Sequence, residues 1–580
     1  MLKAGDKSVN CNELNLQPML CYLRFLTYAL CVFSFSVYGQ VDFTSSNLPI
    51  LVIDTHGQAI LDDPKITADL GIIDNGPGQR NSMSDAFNGY VGKIGIELRG
   101  STSQNFPKKP YGMELRDNSG EGVSSSLLGM PAEEDWALVA TYNDKSLMRD
   151  ALAYKLGRDL GRYAARTRFC ELVMKKDVVI EGVPAKENVY LGIYMLTEKI
   201  KRDKNRVDIS KLDPEEISGD DLTGGYILKI DKYTGDSGSG FPSQIAPPNR
   251  SGDQSVSFQY EYPAYDEIVS EQRQYIQTFI RNFETTLHGS TYQDETNGYV
   301  KYIDVDSFVD FLIINELSKN VDGYRLSTFM YKDKDSKGGK LVMGPVWDFN
   351  LAFGNADYCQ GAPVSGWMYN FNSVCSEDGF LIPFWWKRLL SDPNFRERLA
   401  LRWVALRAGV FSTSSIHHYI DSVANVLDDE AAGRNFTKWP VLGEKIWPNF
   451  YVGDTYQQEV DWLKDWVRQR TSWLDANMPA VVTAIGDEAR EKVFSMWAYP
   501  NPFTSELKLE YRVSNPCQVT LELFNSLGQR VARIEQDHVT PGTHLAVFNP
   551  TGMGDGVYYF KAHTSQDRST IIRRVIKIHD

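Results

Sequence analysis

Two aspartates on either side of a predicted β-hairpin have the types and spacing that phosphoryl transfer requires. Asp322 lies in Asn320-Val-Asp-Gly-Tyr-Arg-Leu-Ser327, and Asp348 lies in Trp347-Asp-Phe-Asn350. A protein kinase places one carboxylate beside the acceptor hydroxyl, a metal ligand five residues later, and a second, Mg²⁺-holding carboxylate after a short hairpin. Asp322, Ser327 and Asp348 occur in that order. The alternative is that both aspartates only form turns, which is a common use of this residue.

A second element upstream could bind phosphates. The segment Ile94 to Leu115 predicts a strand, a Gly/Ser/Thr loop with Ser101 and Ser103, and a second strand that follows Lys108 and Lys109. Backbone N–H groups of such a loop can surround phosphates while a lysine reaches their oxygens. Taken alone, the same pattern also fits an ordinary hairpin with solvated lysines.

Several helices and strands are predicted to position these residues. Apolar spacing predicts helices over 147–160 and 306–317, with the second helix leading into the Asp322 segment. Strands are predicted over 47–53, 90–98, 169–174 and 189–196, and the hairpin over 328–332 and 340–346. Residues 233–257 read as a surface insertion. In the helix predicted over 459–474, three tryptophans share one face; core packing is favoured over a sugar-binding surface.

Composition excludes several classes of protein. The chain has 580 residues, 42% of them hydrophobic and 23% charged, which is typical of a globular protein. The net charge of −14 lacks the phosphate attraction that nucleic-acid binders need, so no nucleic-acid partner is predicted. The sequence contains no HExxH, CxxC or GxSxG motif, which argues against a zinc hydrolase or an α/β-hydrolase.

The first 39 residues predict a signal peptide and therefore an exported protein. The apolar run from Met19 to Gly39 is too short and too rich in hydroxyls for a membrane span, so no stable span is expected. A buried N-terminal helix is the alternative, and translation could start at Met19. In an exported chain, Cys359 and Cys375 are the best candidates for a disulfide, with two unpaired thiols as the alternative.

The chemistry-bearing segments resemble the CotH kinase family, whose members have an atypical protein-kinase-like fold. The resemblance covers about residues 47–475, and its motifs are Arg99-Gly-Ser-Thr-Ser103, Phe106-Pro-Lys-Lys109, Asp135-Trp136, Asn143-Asp-Lys-Ser-Leu-Met-Arg149, Tyr190-Leu-Gly-Ile-Tyr194 with Glu198, Asn320-Val-Asp-Gly-Tyr324 and Trp347-Asp-Phe-Asn-Leu-Ala-Phe-Gly354. It implies binding of ATP and Mg²⁺ and transfer of the γ-phosphoryl group to Ser or Thr of a protein substrate. The fold class expected is α+β.

The resemblance also implies roles for individual residues. Asp322 corresponds to the catalytic-loop aspartate and Asp348 to the metal-binding aspartate, while Lys109, or Lys108 beside it, corresponds to the phosphate-contacting lysine. Glu198 falls where the adenine-binding hinge begins. This sequence departs from the family's commoner pattern at two of the metal-ligand positions.

These two departures concern Mg²⁺ binding. Ser327 stands where many members have a metal-ligating Asn, and Asn350 replaces a second acid. Each exchange weakens a Mg²⁺ ligand. Two functions therefore stay open: a secreted or surface kinase-like phosphotransferase, or a catalytically silent surface, adhesion or structural protein that keeps the fold.

The C-terminal part has a different composition. After a core over 40–478 and a linker over 479–493, residues 494–580 predict short alternating strands that form a small immunoglobulin-like β-sandwich. This region resembles the type A sorting domain of the type IX secretion system, through Tyr499-Pro-Asn-Pro-Phe503, Gly528, Gly556-Val-Tyr558 and Arg573-Arg574. The resemblance implies a Bacteroidetes-type bacterium, type IX machinery as a partner, and passage through the periplasm to the outer surface.

Overall fold

The computed structural model describes residues 41–180, 183–233, 240–250, 252–479, 494–499, 503–513, 515–525, 529–565 and 570–578. The predicted signal peptide and nearly all of the predicted linker lie outside these ranges. Within them, no helix is both long and apolar enough to cross a membrane.

The N-terminal part of the chain is dominated by a closed barrel of seven strands. The elements of this part are β1 (Ser45–Ser46), β2 (Ile50–Asp54), β3 (Ile66–Ile73), β4 (Asn81–Ser82), β5 (Tyr90–Leu98), β6 (Tyr111–Arg116), β7 (Asp135–Val139), α1 (Arg149–Asp159), β8 (Thr167–Ile180) and β9 (Val183–Glu198). The short strands β1 and β4 pair with each other outside the barrel. The strand order in the barrel is β2-β3-β5-β6-β7-β9-β8. The barrel is closed by parallel pairing of β2 with β8, in which Ile50 lies opposite Glu171.

Strand β2 is apolar on both faces because each face packs against a different apolar cluster. Leu51 and Ile53 pack inside the barrel, whereas Ile50 and Val52 belong to a second apolar cluster that includes Tyr190. Successive strand residues point to opposite faces, so a continuous apolar run is expected where both faces are covered.

A five-stranded sheet follows the barrel and contains the predicted hairpin. Its strands are β10 (Tyr226–Ile230), β11 (Gly240–Pro242), β12 (Ser257–Tyr262), β13 (Thr328–Lys332) and β14 (Leu341–Met343), in the order β11-β12-β10-β13-β14. Strands β13 and β14 form the antiparallel hairpin, with Met330 opposite Met343. Strand β10 pairs with β13 so that Ile230 lies opposite Thr328, which brings the ends of these two strands together.

The remaining core is helical. Its helices are α2 (Ser270–His288), α3 (Val305–Ser318), α4 (Phe371–Val374), α5 (Trp385–Leu389), α6 (Pro393–Arg407), α7 (Thr413–Lys438) and α8 (Tyr456–Asn477). Helix α3 is buried along almost its whole length, and Asp304 caps it by accepting the Ser307 N–H at 2.8 Å. On α8, Trp466 is fully buried while Trp462 and Trp473 pack against the core from its edge, which confirms the packing role of this tryptophan face.

The C-terminal region is all-β, as predicted. Its strands are β15 (Phe494–Tyr499), β16 (Leu507–Val513), β17 (Cys517–Asn525), β18 (Arg530–Val539), β19 (Gly542–Phe548), β20 (Gly556–Thr564) and β21 (Thr570–Lys577). They form two sheets in the orders β15-β16-β19 and β18-β17-β20-β21. Apolar side chains such as Leu509, Leu521 and Phe560 form a core of their own. The observed combination of helices with antiparallel sheets agrees with the α+β class.

Candidate active site

Asp322 lies in the loop between α3 and β13 and is held by an arginine. Its carboxylate accepts a hydrogen bond from Arg325 Nη2 at 2.9 Å, and its N–H donates to Asn320 Oδ1 at 3.2 Å. Arg325 is buried against the Phe371 ring and also bonds Asp378 at 3.1 Å. Burial raises the pKa of Asp322, while the charge of Arg325 opposes this rise. The loop thus fixes this carboxylate beside a permanent cation.

Asp348 follows the hairpin and is held in place by helix α1. Its backbone has a positive φ of 60°, its N–H donates to Tyr154 Oη at 3.2 Å, and the next N–H, of Phe349, donates to the buried Asp150 carboxylate. Burial by the surrounding protein and the nearby charge of Asp322 raise the pKa of Asp348 to about 6. The side chain is nevertheless exposed to solvent, a combination expected at the floor of an open cleft.

A third carboxylate, Asp231, joins these two, and the sequence analysis missed it. It follows β10 directly, and the pairing of β10 with β13 places it opposite Ser327. Its Oδ2 accepts a hydrogen bond from Ser327 Oγ at 3.5 Å, and its Oδ1 accepts one from the Lys232 N–H at 2.8 Å. Its charge contributes to the raised pKa values of both Asp322 and Asp348. The only signal in the sequence is an aspartate that ends an apolar strand.

The donor set fits a divalent cation. In the described ranges, Asp231 and Asp348 have no Lys or Arg nitrogen within 4.0 Å of their carboxylates, whereas Asp322 is paired with Arg325. Burial raises the pKa of both carboxylates, and the charge of Asp231 adds to the rise at Asp348, so a bound cation would favour their ionised forms. Mg²⁺ typically takes one or two protein carboxylates and completes its shell with water and phosphate oxygens.

The other two predicted metal ligands are placed differently. Ser327 is half-buried and donates to Asp231, so its hydroxyl orients that carboxylate. The side-chain nitrogen of Asn350 donates to Asn143 Oδ1 at 3.2 Å, and its backbone carbonyl accepts from Asn355 at 2.7 Å. These bonds tie the segment after Asp348 to the chain that precedes α1.

A second acidic group lies elsewhere and is neutralised. Among the described residues, the single set of three metal-ligating side chains whose ligand atoms all lie within 4.8 Å of one another is Glu133, Glu134 and Asp135. Lys201 forms ion pairs with all three, at 3.2, 2.6 and 2.8 Å. The carboxylate oxygens of Asp231, Asp322 and Asp348 do not all lie within 4.8 Å of one another, so water or phosphate has room between them.

The loop for which phosphate binding is predicted connects β5 to β6. Gly100 has a φ of 85°, and a Cβ at this position would lie 2.2 Å from Ser103 Oγ, so only glycine fits. Ser103 is half-buried beneath this turn, and Ser101 is exposed. The strand–loop–strand prediction is confirmed, with Leu98 opposite Tyr111.

The two predicted phosphate-contacting lysines differ in environment. Lys108 is 1% exposed, and its ammonium donates to the Ile193 carbonyl and to Asn435 Oδ1 on α7. Burial lowers the pKa of Lys108 to about 7. The ammonium of Lys109 donates to the Gln104 carbonyl at 2.6 Å, within the loop itself. Lys108 is therefore an internal residue, while Lys109 remains at the loop.

Arg99 lies closer to the aspartates than the sequence analysis recognised. Its guanidinium carbon is 5.4 Å from the centroid of the Trp347 ring, which stacks on Tyr154 at 5.7 Å. Burial lowers the pKa of Arg99, and the negative charges of Asp348 and Asp150 oppose that effect. The end of β5 thus contributes a cation next to the segment that carries Asp348.

Glu198, predicted at the start of the adenine hinge, is a buried anchor at the end of β9. Its carboxylate accepts hydrogen bonds from the Arg166 N–H at 2.9 Å and from Arg166 Nε at 3.0 Å, and from Tyr163 Oη at 3.3 Å. These bonds join β9 to the start of β8. Its backbone still borders the segment that leads to β10.

The predicted disulfide is confirmed and lies beside the Asp322 loop. Cys359 and Cys375 are bonded, with their Cα atoms 5.3 Å apart. Lys319, the C-cap of α3, donates to three carbonyls of the segment between them, those of Gln360, Pro363 and Ser365. The disulfide loop and the loop with Asp322 therefore support each other.

An apolar cavity lies away from these carboxylates. It is lined mainly by α1, α3 and the end of the hairpin, with Leu160, Phe311, Ile314 and Val346 among its walls. None of the predicted site residues lines it, so it is separate from the candidate active site.

Two solved structures show short, distant similarity to this chain. One is dimeric latent PorU from Porphyromonas gingivalis, with 14% identity over 17% of this chain and 10% of that chain and a TM-score of 0.14. Another is the endo-beta-1,4-mannanase from Thermotoga petrophila, with 11% identity over 23% of this chain and 27% of that chain and a TM-score of 0.13. The matched part thus spans only about a tenth and a quarter of those proteins. No curated protein matches the chain.

Comparison with protein families is decisive for both parts of the chain. Residues 497–578 match the secretion system C-terminal sorting domain, so the protein is secreted or displayed at the outer cell surface and interacts with the secretion machinery. Residues 96–474, well over half of the chain and including all the site residues described above, match the CotH kinase protein family. The chain therefore belongs to the CotH kinase family.

Proposed function

We propose that the protein is a secreted or surface-displayed phosphotransferase that moves the γ-phosphoryl group of ATP to Ser or Thr of a protein substrate. On this proposal, residues 40–478 form an atypical kinase-like core, and residues 494–580 serve export only. Family membership supports the proposal. The observation that carries it is the proximity of Asp322 and Asp348 on either side of the hairpin, where the charge of Asp322 raises the pKa of Asp348.

Asp322 is assigned the acceptor side of the reaction. A carboxylate at this position orients the acceptor hydroxyl and takes its proton as the oxygen attacks phosphorus. Arg325 keeps the carboxylate pointed in one direction through its 2.9 Å bond, and its charge favours the ionised form. Asn320 fixes the backbone of the same residue.

Asp348 and Asp231 are assigned to Mg²⁺. The ion, when bound, would neutralise charge on the phosphate oxygens. Asp348 presents its carboxylate to solvent on a backbone held by Tyr154 and Asp150, and Ser327 orients the Asp231 carboxylate. Asp231 thus supplies a charged oxygen next to the position where Ser327 replaces a stronger ligand.

Calorimetry with ATP, with and without Mg²⁺, tests the proposal on the mature chain. We expect Mg²⁺-dependent binding that Asp348→Asn weakens by about tenfold or more, because one charged ligand is lost. Asp322→Asn should keep binding and lose transfer of labelled phosphate. Asp306→Asn is the matched control, since this exposed carboxylate on α3 pairs with Arg398 alone among the described residues. Absence of metal-dependent binding at millimolar ATP would refute the phosphotransferase assignment.

A catalytically silent surface or structural protein is the second candidate. The replacement of stronger Mg²⁺ ligands by Ser327 and Asn350 favours it. Ser327→Asn separates the two functions, since a weakened kinase should gain activity when an amide oxygen is supplied at this position. A wild-type chain without transfer, and a Ser327→Asn variant that also shows none, would support the silent protein.

A further inference from the structure

We propose that Arg99 binds the phosphates of the nucleotide, an assignment that rests on the proposed function. Arg99 is the first residue after β5, and its N–H donates to the Pro110 carbonyl at 3.2 Å across the mouth of the loop. The pairing of Leu98 with Tyr111 on the preceding rung fixes its backbone. The side chain is half-buried and therefore starts from an ordered position.

Stacking directs the guanidinium toward Asp348. The Arg99 guanidinium lies over the Trp347 ring at 5.4 Å, and Trp347 stacks in turn on the fully buried Tyr154 at an interplanar angle of 20°. Such cation–π contacts are favourable and leave the N–H groups at the edge of the guanidinium free to donate. The charges of Arg99 and Asp348 act on each other's pKa, so the cation lies near the proposed metal-binding carboxylate.

The donors of Arg99 are unused in the part of the chain that the structure describes. No carboxylate lies within 4.0 Å of its guanidinium, and its side chain makes no hydrogen bond there. The buried arginines of the described core do use their donors: Arg149, Arg325 and Arg470 each pair with an acid, and Arg206 donates to the carbonyls of Lys199 and Asp135. An ordered arginine with free donors beside a metal-binding carboxylate is suited to phosphate, whose oxygens match the guanidinium fork.

The ammonium groups of the two neighbouring lysines already donate hydrogen bonds within the protein. Lys108 is bonded to Ile193 and Asn435 inside the protein, so it cannot reach a ligand without breaking both bonds. Lys109 is bonded to the Gln104 carbonyl of the loop and is the competing candidate. Among these three cations, Arg99 alone makes no side-chain hydrogen bond to the described residues.

Calorimetry of the mature chain with Mg²⁺·ATP, Mg²⁺·ADP and adenosine tests the assignment. Arg99→Met should weaken ATP binding by about 10- to 100-fold, the loss expected for charge-assisted hydrogen bonds, and should leave adenosine binding unchanged. Arg99→Lys keeps the charge without the fork and should fall between wild type and Arg99→Met. Lys109→Met is the matched control at the same loop and should change ATP affinity less.

Three results would overturn the assignment. The first is Arg99→Met and Arg99→Lys binding ATP as wild type does, which would leave the proposed function intact. The second is an equal loss for ATP, ADP and adenosine together with a lower melting temperature, which would show that Arg99 only packs against Trp347. The third is a wild-type chain that binds none of the ligands, in which case the proposed function fails as well.

Discussion

Arg470 connects the last helix of the core to the helix that leads into the Asp322 loop, and its removal should be costly. Both Arg470 on α8 and Glu316 on α3 are 0% exposed and form an ion pair at 3.4 Å. Arg470 also donates to the carbonyls of Glu316, Val364 and Gly366. Arg470→Met would leave a buried carboxylate without its cation and three carbonyls without donors.

The expected loss of unfolding free energy follows from these contacts. Breaking a buried ion pair by removing one partner costs about 3–5 kcal/mol, because the remaining charge is left uncompensated. Glu316 keeps hydrogen bonds from the N–H groups of Met368 and Tyr369 and from Tyr324 Oη, which place the loss toward the lower end of this range. Urea unfolding followed by tryptophan fluorescence measures it.

A neighbouring arginine on the same helix provides the control. Arg468 is 57% exposed and pairs with the exposed Asp465, so Arg468→Met should cost less than about 1 kcal/mol. The double variant Glu316→Gln/Arg470→Met should recover part of the loss, since a neutral amide needs no cation. If Arg470→Met unfolds within about 1 kcal/mol of Arg468→Met, the buried pair does not stabilise this junction in the way we describe.

Three further predictions concern protonation and the disulfide. Since the pKa of Asp348 is raised to about 6, the ionised fraction of its carboxyl should fall from about nine-tenths at pH 7 to about one-tenth at pH 5. Calorimetry should therefore show about tenfold weaker Mg²⁺-dependent ATP binding at pH 5 than at pH 7. Equal affinity at both pH values would contradict this prediction. Burial lowers the pKa of Lys108 from 10.5 to about 7, so between these two pH values the unfolded chain holds one more proton than the folded chain. The unfolding free energy of wild type should therefore rise with pH by about 1.4 kcal/mol per unit relative to Lys108→Met, as measured by urea unfolding from pH 7 to 10. Parallel pH profiles for the two proteins would be inconsistent with a buried ammonium. The Cys359→Ser/Cys375→Ser variant loses a cross-link over 16 residues and should be less stable by about 3 kcal/mol in urea, whereas an unchanged midpoint would show that the cross-link is not stabilising.

Local patterns in the sequence predicted the elements around the site closely. The helix predicted over 306–317 is observed as Val305–Ser318, and the strand predicted over 90–98 has the observed bounds Tyr90–Leu98. Both segments carry apolar residues at the period of their structure, and the helix has an aspartate as its N-cap. The hairpin between Asp322 and Asp348 could likewise be predicted, because its two strands are neighbours in the sequence.

Contacts between distant segments could not be read in the same way. Asp231 reaches the site only because β10 pairs with β13 across almost a hundred residues of chain, and nothing near Asp231 in the sequence specifies that register. Arg99 belongs to one of the motifs that carry the family resemblance, but its stacking on Trp347 depends on how the barrel meets the sheet. The internal position of Lys108 has the same origin, since its partner Asn435 lies on α7.

The parallel pairing of β2 with β8 also sets the order in which the barrel can be completed during synthesis. Ile50 of β2 pairs with Glu171 of β8, but β8 is joined to β7 only through β9, which ends at Glu198, so roughly 150 residues have to be added after Ile50 before the barrel can close. At a synthesis rate of about 5–20 residues per second, the nascent chain carries open strand edges for about 7–30 s. Open edges favour aggregation, so a chaperone or an export factor that binds extended polypeptide has this interval in which to capture the chain before it folds.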